Sequence, residues 1–107
     1  MSNTKRLNKT PIHPGKILAV ELTELNISAS FLARSIFVPT NRITEILKGT
    51  RSISADTAIR LGKFFNSTPE LWMNLQKNYE LDRAYQNSID DLDNIQHYPS
   101  KLNKGNK

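Results

Sequence analysis

Between Ala29 and Leu47 the sequence ASFLARSIFVPTNRITEIL holds two short helical periods separated by a proline that neither can cross. Leu32, Ala33 and Ile36 are spaced for one buried face. Ile43, Ile46 and Leu47 recur at i, i+3 and i+4, the mark of an amphipathic helix. Pro39 disfavours the helical region for Val38, so the chain must break there. Ala33 supplies the small side chain that two steeply crossing helices need, and Val38 is placed to plug the gap. Two helices joined by so short a turn form the arrangement in which the second lies in the major groove of DNA. The expectation is a helix-turn-helix, with the rest of the chain as its support.

A projection at about 100° per residue separates the faces of the second helix. Ile43, Ile46 and Leu47 point one way. Thr40, Asn41, Thr44, Glu45 and Lys48 point the other, with Arg42 on the margin. Asn pairs in bidentate fashion with adenine, Arg with guanine, and Thr offers a hydroxyl or touches a thymine methyl. Any solvated surface helix carries a polar face as well. The preceding helix, the turn and the charge balance favour base reading by Thr40, Asn41, Arg42, Thr44 and Glu45.

The charge is unevenly spread. The 107 residues carry a formal +5, and a basic chain of this size suits a nucleic acid. Residues 1–66 hold ten Lys and Arg against four acids, whereas residues 67–98 hold two against six. One half suits a polyanion and the other would be repelled by it, which argues for two partners. The length fits one domain with a single core. There is no Cys, hence no disulfide framework or thiolate metal site. MSNTKRLNKTPI lacks the apolar centre of a secretory signal, and no apolar run reaches membrane-spanning length. A cytoplasmic protein without membrane contact is expected.

In chain order, residues 1–11 read as a flexible basic arm, and residues 12–87 as the DNA-binding and dimerisation domain. Residues 88–107 read as a polar, disordered tail. His13-Pro14-Gly15 opens a first helix running to about Leu25. His13 and His97 have no carboxylate cluster at ligand spacing, so no metal is expected. Ser28 is placed to cap the second helix, and Gly49 to end the third. Lys48, Thr50 and Arg51 suit phosphate contacts beside the reading helix. Ser54 caps a fourth helix, Ala55–Phe65, with Ala58, Ile59, Leu61, Gly62 and Phe65 expected inward and Asp56 in its first turn. Ser67 and Glu70 resemble a capping box before a fifth helix, Pro69–Asn87. That helix carries more apolar surface than a peripheral helix needs, so Trp72, Leu75 and Tyr79 are candidates for a dimer interface. Asp90, Asp91 and Asp93 do not match a calcium loop. No Gly-rich phosphate loop, nucleophile elbow or paired catalytic carboxylate occurs, so neither an enzyme nor a cofactor is expected.

Four blocks carry a family resemblance. They are His13-Pro14-Gly15 with Ile17-Leu18, Arg42–Arg51 (RITEILKGTR), Ser54–Leu61 (SADTAIRL) and Thr68–Gln76 (TPELWMNLQ). In this order they resemble the HigA antitoxins, a branch of the phage-repressor-like (XRE) helix-turn-helix group that includes virulence-associated protein I. The resemblance spans roughly residues 12–85. It implies an all-α, five-helix domain that dimerises on a palindromic operator in its own promoter. It also implies a partner, a HigB-type toxin that is a small basic ribonuclease cutting messenger RNA on the ribosome. Carried over by position, Thr40, Asn41, Arg42, Thr44 and Glu45 lie on the reading helix, with Lys48, Thr50 and Arg51 near the backbone. Phe37 departs from the pattern, because the group places Gly there, and a non-Gly residue with positive φ is strained. Either the turn is reshaped or Phe37 packs against a neighbour. Ala29 stands where many relatives have a polar residue, which shifts the expected phosphate contact to Ser28 or Ser30. Two other readings stay open: a plain phage-type repressor without a toxin, and an interaction module that binds only proteins.

Overall fold

The structure, a computed structural model, describes residues 9–99. Most of the expected basic arm, and the tail beyond residue 99, lie outside these residues. Six helices follow in order, with no strand among the described residues: α1 (Pro14–Leu25), α2 (Ala29–Ser35), α3 (Thr40–Lys48), α4 (Ala55–Phe65), α5 (Pro69–Asn87) and α6 (Ile89–Leu92). The first five are those expected from the sequence.

Each start has a local cause. Ser28, Ser54 and Thr68 accept hydrogen bonds from the backbone N–H three residues on, at 3.0, 3.3 and 3.2 Å, satisfying donors that a helix's first turn leaves free. The cap of α5 is therefore Thr68 rather than Ser67. The hydroxyl of Ser67 is instead buried with no hydrogen-bond partner. His13 caps α1 through its ring, whose Nδ1 accepts from Gly15 N at 2.9 Å. Helices α1 and α4 end on Asn26 and Asn66, both left-handed. Gly49 ends α3 at φ 82°, a region open to glycine without strain.

The core is one cluster at the centre of α1–α5: Leu18, Leu22, Leu32, Ala33, Ile36, Ile43, Ile46, Ile53, Ala58, Leu61 and Trp72. Helix α3 packs on α1 and α2, and α5 on α4 and α1. Gly15 marks the closest approach of α1 to α3. A β-carbon there would collide with the Ile46 carbonyl oxygen. Trp72, 2% exposed, sits in this core at 5.7 Å from the Phe65 ring. It thus belongs to the interior and not to the dimer surface expected of it. Ile59, expected inward, is 53% exposed. It lines an open groove with Ser35, Ile36 and Phe37 at the end of α2.

Two further expectations change. The tail begins with one helical turn, because Ser88 O accepts from Asp91 N and Leu92 N at 3.1 and 3.0 Å. Leu92 then closes a shallow groove with Leu81, Ala84 and Tyr85. Phe37 takes φ 62°, the left-handed region that glycine enters freely, and its ring stands almost wholly in solvent. Of the two outcomes open for this residue, packing of the ring does not occur. The backbone carries the strain.

Candidate nucleic-acid interface

Helix α3 is a short rod fixed from behind. Ile43 and Ile46 are fully buried, Leu47 is half-buried, and Val38 packs against the same cluster. On the open side Thr40, Asn41 and Lys48 are exposed, with Arg42, Thr44 and Glu45 half-buried. Nine residues at 1.5 Å rise span about 14 Å, and the major groove is about 12 Å wide. Pro39 occupies the N-cap position and offers no side-chain acceptor, so the first backbone N–H groups of α3 have no side-chain cap.

Two of the three charged side chains of α3, Arg42 and Glu45, are held by a neighbour. Arg42 Nη1 donates to Asp56 Oδ2 at 2.8 Å, an ion pair from α3 to the first turn of α4. Arg51, in the loop after α3, donates to Glu45 Oε1 through Nε at 2.8 Å and Nη2 at 2.7 Å. Thr50 Oγ1 donates to the Glu45 carbonyl at 3.2 Å, which ties that loop to the helix end. The uncharged members are less constrained. Thr44 Oγ1 donates to Asn41 O at 3.3 Å. Among the described residues no hydrogen bond holds the Asn41 amide.

Comparison with known proteins fits this geometry. No protein-family model matches the chain. Virulence-associated protein I of Dichelobacter nodosus is 43% identical over 81 residues, covering 74% of this chain and 75% of the relative. The structure of an addiction module antidote protein of the HigA family from Coxiella burnetii matches at 50% identity and a TM-score of 0.82. That match covers 84% of this chain and all of the other. The chain belongs to the HigA antitoxin family. Pseudomonas aeruginosa antitoxin HigA, solved with the higBA promoter, matches this HigA-family chain at 42% identity and a TM-score of 0.78, over 82% and 97% of the two chains.

The fold brings Thr40, Asn41, Arg42, Thr44 and Glu45 together on α3 and places Lys48, Thr50 and Arg51 at its C-terminal end. Ser28 and Ser30 lie apart from them, at the start of α2, with their hydroxyl oxygens 3.2 Å apart. Ser28 is already committed to capping α2. Leu75 and Tyr79 are half-buried on α5 and, with Ile12 and Ile17, line an open groove beside α1.

Two residues of this HigA-family chain join the site unannounced by the sequence pattern. Asp56, expected only as a charge in the first turn of α4, accepts from Arg42 and from Arg60 Nε at 3.1 and 3.0 Å. Arg60 in turn donates through Nη1 to Ile36 O at 2.8 Å, so it also ties down the last turn of α2 beside Phe37. The Arg60 hydrogen bond, with Arg42 beside it, holds the Asp56 carboxyl below its ordinary value of 3.8. Fourteen residues separate Arg42 from Asp56, so no helical period could have linked them. His13, read from the sequence as the opening of the first helix and part of a family block but given no role in the site, packs edge-on to Tyr79 at 4.9 Å and lies beneath Gly49. Its burial lowers its pKa below 6.5, partly opposed by a hydrogen bond to the Arg51 backbone. The ring joins α1, α5 and the C-terminal end of α3. Among the described residues no helix is long and apolar enough to cross a membrane, and no group of three or more His, Cys, Asp or Glu is placed to hold a metal.

Proposed function

We propose that this chain is a DNA-binding antitoxin acting in the cytoplasm. It lays α3 in the major groove of a palindromic operator in its own promoter, and it neutralises a HigB-type ribonuclease. The observation that carries the reading is the open side of α3, a row of amide, hydroxyl and guanidinium groups on a helix whose opposite side packs into the core through Ile43, Ile46 and Leu47. A relative solved with its promoter supports it. Thr40, Asn41, Arg42, Thr44 and Glu45 read base edges. Lys48, Thr50 and Arg51, with Ser28 and Ser30, meet phosphates. The chain works as a homodimer whose two reading helices lie about 34 Å apart. The half-buried Leu75 and Tyr79 on α5 serve the dimer contact. Residues 12–87 form this binding unit, with residues 1–11 and 88–107 as its arm and tail. The acidic half of the chain suits a basic toxin.

The test is a gel shift on the DNA upstream of the gene across a salt series. Phosphate contacts make affinity fall steeply with salt. Asn41→Ala and Arg42→Ala are each expected to cost about 1–3 kcal/mol on the preferred site, with non-specific binding much less affected. Equal protection of that site by parent and variants would remove α3 from the reading role, and a flat salt response would favour a protein-only module. Copurification of a small basic neighbour with the untagged chain supports the toxin role. Its absence leaves a plain repressor.

A further inference from the structure

We propose that Asp56 is a positioning residue that aims Arg42 at a guanine. This rests on α3 being the reading helix. Arg42 stands at the margin of α3, where a long flexible side chain has several ways to point. Asp56 removes that choice by taking Nη1 at 2.8 Å. The side of the guanidinium bearing Nε and Nη2 stays available as a pair of parallel donors, the fork that meets guanine O6 and N7. Asp56 is itself fixed, because Arg60 Nε contacts both of its oxygens, at 3.1 and 3.0 Å. The chain of contacts ends on backbone, with Arg60 Nη1 on Ile36 O at 2.8 Å. The aim of Arg42 is thereby set by α4 and the end of α2, and not by α3 alone.

Stability is a poor reason for this arrangement. The Arg42 and Asp56 side chains are 30% and 56% exposed, and exposed ion pairs contribute little to folding. Orientation is what the geometry offers. A guanidinium ordered before it meets DNA loses less freedom on binding, and it discriminates more sharply because it cannot swing to a phosphate. Glu45 and Arg51 form a comparable pair at the other end of α3, but there both arms come from α3 and its own loop. Only the Arg42 pair carries information from another helix.

The experiment uses the full-length chain and a duplex selected by the parent chain from random sequence. Each guanine of that duplex is replaced in turn by 7-deazaguanine, which lacks the N7 acceptor. The parent is expected to lose about tenfold or more in affinity at one symmetry-related guanine pair, the cost of breaking a bidentate contact. In Asp56→Asn, which keeps the size of the side chain, that loss should shrink to about twofold while non-specific affinity holds or rises. Adding Asp56→Asn to Arg42→Ala should change nothing further at that pair. The proposal is overturned if Asp56→Asn retains the parent's full sensitivity, or if it alters only the salt slope. If Arg42→Ala itself keeps the parent's sensitivity at every guanine, then Arg42 reads no guanine, and the proposal falls without touching the role of Asn41. Asp56→Ala, read in the same way, guards against a residual hydrogen bond from the Asn side chain.

Discussion

Helices α3 and α5 solve opposite problems. Helix α3 is nine residues long, and its two buried isoleucines fix it against the core. Its Arg42 and Glu45 side chains are then tied by Asp56 and Arg51. Helix α5 is nineteen residues long, but only part of it is well anchored. Trp72 enters the core, and Gln76 Oε1 accepts from the buried Ile53 N–H at 2.8 Å, holding the stretch before α4. Further along, Leu81 stands 40% exposed, and α6 adds only a short cover. A short helix that must present a defined surface borrows rigidity from the core behind it and from the residues that flank it. The long helix is held at spaced points, Trp72 and Gln76 and then Asp82, and leaves Leu81 exposed between them.

This contrast can be broken or sharpened by measurement. Trp72→Ala is expected to cost about 3–5 kcal/mol in urea unfolding, as for a large core aromatic replaced by a cavity. Gln76→Ala should cost about 1–3 kcal/mol, because the Ile53 N–H is left buried without an acceptor. Phe37→Gly should stabilise the chain by about 0.5–1 kcal/mol. The strain of a left-handed non-glycine is relieved, offset in part by the greater chain entropy of Gly. A loss there would mean that the exposed ring is covered. His13 gives a pH-dependent effect. Its folded value lies below 6.5, so the unfolded chain binds the proton more readily. Stability is then full above pH 6.5 and falls as pH drops through the folded value. His13→Asn, with an acceptable cap but no titration, should flatten that fall in thermal melts between pH 7 and pH 5. Smallest of all, Leu81→Ala should change stability by no more than about 0.5 kcal/mol at high dilution. A loss as large as that of Trp72→Ala would show both parts of α5 to be equally buried and would end the contrast.

The limits of sequence reasoning follow the same division. Helix α3 was legible because Ile43, Ile46 and Leu47 repeat within two turns, and the boundaries of α4 and α5 because Ser54, Phe65 and Pro69 are local signals. Trp72 was misassigned because a helical period on α5 cannot distinguish its own core from a second copy's surface. Ile59 was misplaced because the inward arc of α4 depends on which helices pack against it. The Thr68 cap shows the same limit at short range, where Ser67 and Thr68 both carry a hydroxyl.

The residues themselves determined an all-helical chain, a break before Pro39, the polar outer side of α3, the serine caps of α2 and α4 and the stop of α3 at Gly49, because each depends on φ preferences and spacing within about one turn. Tertiary packing alone decided that Asp56 meets Arg42, that Arg60 holds the end of α2, that His13 lies under Gly49 and that Phe37 keeps a strained φ with its ring in water. Each of these joins groups distant in sequence, or is imposed on a residue by the elements at either side of it.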